Sequence, residues 1–64
     1  MKHAIYYLLD RDCKDIGFNS LDECLSVAIY LGITSRTMAN LLSTREYGVS
    51  YGTVNAWMRE IRER

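Results

Sequence analysis

Between Ser20 and Gly32 the apolar residues recur every three or four positions, which is the spacing of one face of an α-helix. Ser20 and Glu23 form the capping-box pattern of a helix start, in which each side chain accepts a free backbone N–H. Gly32 suits the left-handed backbone that ends many helices. The sequence therefore predicts a helix over about residues 20–31. Its apolar face consists of Leu21, Cys24, Leu25, Ala28 and Leu31.

The same spacing predicts two further helices. Thr34 or Ser35 can cap a helix over about residues 35–46, and Ser50 can cap another over about residues 51–63. The inner face of the first of these is expected to hold Met38, Leu41 and Leu42. In the last helix, apolar residues follow the i, i+3, i+4, i+7 pattern at Val54, Trp57, Met58 and Ile61. That face is expected to enter the core.

The N-terminal segment has two interpretations. Residues 3–9 are rich in strand-forming side chains but do not alternate cleanly, so they fit either a short strand or a helical turn. Residues 10–12, Asp-Arg-Asp, have turn chemistry, and residues 16–18, Ile-Gly-Phe, can return as a second strand. We therefore predict a β-hairpin over about residues 3–18. The predicted fold is mostly α, a single domain over residues 1–64 in which three helices form a helix-turn-helix unit behind this short N-terminal hairpin.

Two segments of the chain share one pattern: hydrophobe, glycine, hydrophobe, hydroxyl, two variable residues, threonine, hydrophobe. They lie at residues 30–38 and 46–54. A glycine can turn the chain with positive φ, the next apolar residue can fill the angle between two helices, and the hydroxyl can cap the second helix. Both segments therefore predict a sharp corner between helices.

With these corners the chain resembles small phage-encoded regulators of the helix-turn-helix family and the helix-turn-helix repeats of intron-encoded nucleases. The likeness rests on Asn19-Ser-Leu-Asp-Glu-Cys and Tyr30-Leu-Gly-Ile-Thr-Ser-Arg-Thr. The segment Tyr47-Gly-Val-Ser-Tyr-Gly-Thr-Val-Asn-Ala-Trp-Met-Arg-Glu is similar to the turn and recognition helix of transposase-type domains. The resemblance implies a phage-derived transcriptional regulator that places a helix in the major groove of double-stranded DNA. So small a domain buries limited surface on DNA, so a homodimer on a two-fold site is expected.

Two helices are candidates for the helix that reads DNA. If it is the last one, the contacts to bases and phosphates come from Ser50, Tyr51, Thr53 and Asn55, with Arg59 and Arg62 along the backbone. If the first corner is the functional one, these roles fall to Ser35, Arg36, Thr37 and Asn40. Charge favours the last helix. Residues 1–23 carry three basic and five acidic side chains, net −2, whereas residues 24–64 carry five and three, net +2.

The whole chain has 8 basic and 8 acidic residues, which gives a formal net charge of zero. Most DNA-binding domains are basic, so this balance and the acidic N-terminal third favour a different function, that of a protein-binding module. Its partner would be a repressor or a host protein, bound by an antirepressor or inhibitor with the same helical fold. DNA binding and protein binding are therefore both open to this sequence.

Length and motifs argue against catalysis. A chain of 64 residues has little room for a buried cleft, and it contains no nucleophile–base–orienter pattern, P-loop or dinucleotide fingerprint. We expect neither an enzyme nor a cofactor. Cys13 and Cys24 lack the paired spacing of a zinc site, so no metal is expected. Without a bilayer-spanning apolar run or an export signal, the chain is expected in the cytoplasm, away from membranes, with both thiols reduced.

Overall fold

The computed structural model describes residues 4–64 and folds them into four α-helices. These are α1 (Ala4–Asp15), α2 (Leu21–Tyr30), α3 (Ser35–Leu42) and α4 (Tyr51–Arg62). The described residues contain four helices rather than three and no strand, so the predicted β-hairpin over 3–18 is wrong. The first residue of that hairpin lies outside the described range. None of these four helices is long and apolar enough to span a bilayer.

Helix α1 forms in place of the predicted hairpin because three of its apolar residues fall on one helical face and enter the core. Tyr6, Leu9 and Cys13, spaced three and four residues apart, are all buried. The Asp-Arg-Asp segment lies inside the helix rather than in a turn, and the Asp10 carboxylate pairs with the ammonium group of Lys14, four residues on, at 3.0 Å. Strand propensity is weak and depends on context, so the burial of this face decides the conformation.

Glycines form the first two corners of the chain. Gly17 and Gly32 have φ angles of +111° and +77°, a left-handed backbone that residues with a Cβ atom rarely adopt. At the first corner the N–H of Phe18 donates to the carbonyl of Cys13 at 3.0 Å. At the second corner, the N–H of Ile33 donates to the carbonyl of Ala28, also five residues earlier, at 2.9 Å. Both are Schellman caps. The predicted corner at Gly32 is therefore confirmed, and the corner at Gly17 lies where the hairpin was predicted.

Side-chain hydroxyls begin three of the helices, as the sequence predicts. Ser20, Thr34 and Ser50 precede α2, α3 and α4, and each side-chain oxygen accepts the N–H of the third residue after it, at 3.0, 3.2 and 3.2 Å. In α2 the Glu23 carboxylate accepts a hydrogen bond from Asn19 Nδ2 at 2.7 Å. These caps fix the positions at which the three helices start.

Helix α3 ends at Leu42, four residues earlier than predicted, because Ser43 redirects the chain. The Ser43 hydroxyl donates to the backbone carbonyl four residues earlier at 2.8 Å. The same oxygen accepts the N–H of Val49 at 3.1 Å, which folds the following loop back onto the helix end. The residues predicted to extend the helix to position 46 therefore lie in the loop over 43–50.

This loop is attached to α1. Tyr47 is half-buried, and its hydroxyl donates a hydrogen bond to the Asp12 carboxylate. Gly48, the glycine of the second repeated segment, does not have a positive φ. The second segment therefore forms part of a longer loop and not the sharp corner that its likeness to the first segment predicts.

Helix α4 is the central helix of the fold. It packs against α3 and α2, and the ring of its Trp57 meets the ring of Tyr6 in α1 edge-on, at a centroid distance of 5.3 Å. The completely buried side chains come from α1, α2 and α4. Burial of one such side chain contributes about 1.5–3 kcal/mol to the stability of the fold. These side chains include Leu9, Leu21, Leu25, Val54 and Met58.

Two leucines that the hydrophobic pattern assigns to the core are exposed instead. Leu31 and Leu41 have exposed fractions of 64% and 67%. Leu31 follows the last residue of α2, and Leu41 lies in the last turn of α3. The chain therefore has more apolar residues at helical spacing than the packing of its four short helices buries.

Candidate nucleic-acid interface

The residues predicted for the two alternative reading helices meet where α3 contacts α4. Ser35, the first residue of α3, is buried, and its hydroxyl donates to Asn55 Oδ1 at 3.0 Å. In the next residue, the guanidinium carbon of Arg36 lies 5.2 Å from the centre of the Tyr51 ring. At this distance a guanidinium is attracted to the aromatic face by a cation–π interaction. The start of α3 and the first half of α4 therefore share one surface.

This surface continues along both helices with helical periodicity. The α3 residues at 36 and 40 are four positions apart, and the α4 residues at 51, 55, 59 and 62 follow at intervals of four, four and three. Such spacing places each set on one side of its helix. Five of the six side chains are exposed, and the one at 55 is half-buried. We call this surface the arginine face; it consists of Arg36, Asn40, Tyr51, Asn55, Arg59 and Arg62.

The arginines of this face have no acidic partner among residues 4–64. No carboxylate oxygen of that part of the chain lies within 4.0 Å of Arg36, Arg59 or Arg62. Arg64, at the end of the chain, is different, because its guanidinium contacts the Asp22 carboxylate at 3.0 Å and the Glu60 carboxylate at 3.7 Å. Three guanidinium groups on the arginine face are therefore available to an external anion.

The helix termini add to this positive charge. Neither α3 nor α4 has an acidic side chain in its first turn, so no local carboxylate neutralises the partial positive charge of either N-terminus. Both N-termini lie next to the contact between Arg36 and Tyr51. The face thus combines side-chain and backbone groups that favour a negatively charged partner.

Four of the five carboxylates of residues 1–23 make contacts within the fold; they belong to Asp10, Asp12, Asp22 and Glu23. Asp10 Oδ1 accepts the N–H of Leu21 at 2.7 Å, and this bond, with the help of Lys14, holds the pKa of the Asp10 carboxyl below its ordinary value. Asp22 accepts the hydroxyl of Tyr6 at 2.7 Å. These bonds join α1 to α2. The zero net charge of the chain therefore combines an acidic segment whose carboxylates are mostly paired within the fold with a basic segment that carries the three exposed arginines of the arginine face.

Three other predicted contact residues lie in helix caps. The Ser50 hydroxyl donates to Thr53 Oγ1 at 2.9 Å, and Thr34 makes the same contact with Thr37 at 3.0 Å. The threonine of the repeated pattern therefore serves as the partner of the cap hydroxyl. Thr53 also lies beside Trp57, on the side of α4 that faces α1 and not on the arginine face. The hydroxyl groups of Ser50, Thr53 and Thr37 thus make hydrogen bonds within the caps at the starts of α3 and α4.

Comparison of the chain with models of protein families, with curated protein sequences and with solved structures finds no match. Among the residues that the structure describes, no three His, Cys, Asp or Glu side chains are grouped so that they could hold a metal ion. The function therefore has to be inferred from the arginine face itself.

Proposed function

We propose that this protein is a small DNA-binding regulator of transcription that lays its arginine face on double-stranded DNA. The observation that carries the proposal is a set of three arginines without acidic partners in the described chain, one of them stacked on Tyr51. Arginines in this state form charge-assisted hydrogen bonds to phosphates and release the counterions bound there. The resemblance of the Gly32 corner to phage-type helix-turn-helix regulators supports a role in transcription.

We place α3 in the major groove because α3 lies at the edge of the fold. Helix α4 contacts α3 and α2, and it also reaches Tyr6 of α1, so three helices lie against it. Helix α3 instead exposes Arg36, Thr37 and Asn40. It also follows a tight glycine corner, as the second helix of a helix-turn-helix does. The distribution of charge in the sequence favours α4, but the packing favours α3 as the helix that enters the groove.

The side chains of the arginine face then divide into two roles. Arg36 and Asn40, one turn apart on α3, would reach base edges, since arginine suits guanine and asparagine suits adenine. Arg59 and Arg62 on α4 would bind phosphates and set the orientation of the domain on the duplex. Tyr51 restricts the motion of Arg36 before DNA is bound, which reduces the entropy that binding has to remove.

Protein binding is the second candidate function, and the zero net charge of the chain favours it. In that case the arginine face would contact acidic side chains of a repressor or a host protein instead of phosphates. DNA and an acidic protein surface are both anionic. The two functions therefore differ chiefly in whether the protein binds DNA of random sequence.

Fluorescence anisotropy with a random-sequence duplex tests the proposal. We expect binding at low salt, and a plot of log K against log salt with a slope near −2 for each protomer, since Arg59 and Arg62 would each neutralise about one phosphate. Replacing Arg59 or Arg62 by alanine should bring the slope about 1 unit closer to zero in each case. Arg11→Ala is the matched control, because it removes an exposed arginine of α1 outside the arginine face and should leave the slope unchanged.

Two results would contradict DNA binding through this face. One is the absence of binding at low salt by a protein whose circular dichroism shows intact helices; this result would favour the protein-binding function. The other is an equal loss of affinity in Arg11→Ala and Arg59→Ala, because the effect would then reflect total charge and not the position of the arginine.

A further inference from the structure

A second surface of the protein, distinct from the arginine face, is apolar. It is a groove between the C-terminal ends of α2 and α3 and the corner after α1, and every residue that lines it is apolar. The buried side chains of Ala28 and Met38 belong to its floor. Its walls carry four exposed side chains, Ile16, Val27, Leu31 and Leu41, with exposed fractions of 74%, 39%, 64% and 67%. We call this surface the apolar groove.

The size of the apolar groove matches one side of a dimer interface. Its four wall side chains, which form the rim of the groove, expose on the order of 300–400 Å² of apolar surface. A stable interface buries about 800 Å² on each partner, of which roughly 60% is apolar. The groove and its rim therefore supply most of the apolar area that each partner of a stable dimer contributes.

We propose that a second copy of this chain covers the apolar groove, related to the first by a two-fold axis. A two-fold contact uses the same patch on both partners, so the patch has to be complementary to itself. An uncharged patch meets this condition, because no like charges face each other across the axis. The exposed walls at Leu31 and Leu41 stand beside a floor of buried side chains, so a wall of one copy can fill the groove of the other.

Charge on the rest of the molecule is compatible with this dimer. The chain has zero formal net charge, so two copies do not repel each other as two strongly basic domains would. Arg36, Arg59 and Arg62 are not among the residues that line the groove, and both arginine faces can stay exposed in the dimer. The proposal does not rest on DNA binding and is tested without DNA.

Sedimentation equilibrium of the full chain over a wide concentration range tests the proposal. We expect a monomer–dimer equilibrium for the wild type, with a dissociation constant at least about 30-fold higher in Leu41→Lys, as for a central interface residue. Leu31→Lys should act in the same direction. Tyr7→Lys is the control, because Tyr7 lies on α1, is 59% exposed and is not a groove residue. It should change the constant by less than about threefold.

All three substituted side chains are exposed in the monomer, so each variant is expected to keep its helices. Far-UV circular dichroism of each variant checks this. A wild type that stays monomeric at the highest concentration would overturn the proposal. Dimers that form equally well in Leu31→Lys and Leu41→Lys would also overturn it, because the contact would then lie elsewhere. Loss of association in Tyr7→Lys to the same extent would do so as well.

Discussion

Gly32 and Gly52 show how differently one residue type acts at two positions. Gly32 has a φ of +77°, whereas Gly52 lies in the first turn of α4, and a Cβ atom at either position would meet no atom within 4 Å. Gly32→Ala is therefore expected to lower the free energy of unfolding by about 1–2 kcal/mol through backbone strain. Gly52→Ala should raise it by up to about 1 kcal/mol, since alanine favours a helix. Urea denaturation followed by circular dichroism measures both changes.

Each glycine variant is the control for the other, because both add one methyl group to an open site. Changes of the same sign in Gly32→Ala and Gly52→Ala would show that the left-handed corner is not the source of the difference.

Among single residues, the sequence predicts contacts that close within one helical turn. The caps at Ser20, Thr34 and Ser50 depend only on the hydroxyl and the three residues that follow it. The bond between Ser35 and Asn55 could not be predicted in this way, because its partners are 20 residues apart. Such a bond exists only once two helices have crossed at a particular angle, and no local pattern determines that angle.

Among the helices, α1 shows how a local pattern can predict the wrong element. Isoleucine and tyrosine favour strands, but the buried set Tyr6, Leu9 and Cys13 has helical spacing, and burial outweighs propensity. Helices α2 and α4 are predicted to within one residue at each end; capping hydroxyls mark both starts, and Gly32 marks the end of α2. The end of α3 lacks such a mark; it is set by the hydrogen bond that the Val49 N–H, in the loop beyond it, donates to the Ser43 hydroxyl oxygen.

The junction of α1 and α2 should depend on pH through Asp10. Its carboxylate accepts the N–H of Leu21, which lowers the pKa of the folded state below the ordinary value of 3.8. A lowered pKa means that the contribution to stability is complete above about pH 4 and is lost as the pH falls through the folded-state value. Asp10→Asn should therefore lower the free energy of unfolding by about 1 kcal/mol at pH 7 and by less at pH values well below 4. Urea denaturation at both pH values measures the difference.

Asp15→Asn is the control for this experiment. Asp15 is the exposed last residue of α1 and makes none of these contacts, so its substitution should have a small effect at both pH values. An Asp10 variant whose loss of stability is the same at acidic and neutral pH would contradict a role of the charged carboxylate.

For the whole molecule, the two cysteines report on opening of the core. Both thiols are free and buried, and burial raises the pKa of Cys13 to about 12 and also raises that of Cys24. Because the thiolate is the reactive form, alkylation by iodoacetamide at pH 8 should be at least about 100-fold slower in the native protein than in urea. Mass spectrometry should show both thiols modified together. Rapid modification of Cys13 alone would indicate that α1 separates from the other helices before they unfold.

The candidate interface also belongs to the whole molecule. The sequence names all six residues of the arginine face, but it assigns them to two alternative sets on two helices. The crossing of α3 over α4 joins the sets through the Ser35–Asn55 bond and the Arg36–Tyr51 stack. Periodicity along one helix could not reveal this surface, because it is a property of two helices packed together.

The corners described above also affect how the chain reaches its fold. Connections over residues 16–20, 31–34 and 43–50 join helices that follow one another, and two of these successive pairs pack closely, α1 with α2 and α3 with α4. Short loops lose little entropy on closing, and helical proteins with local contacts fold rapidly. The sequence contains no proline, so no slow prolyl isomerisation interrupts this process. A newly synthesised chain therefore spends little time with its interior open, which limits aggregation despite its wide apolar stripe.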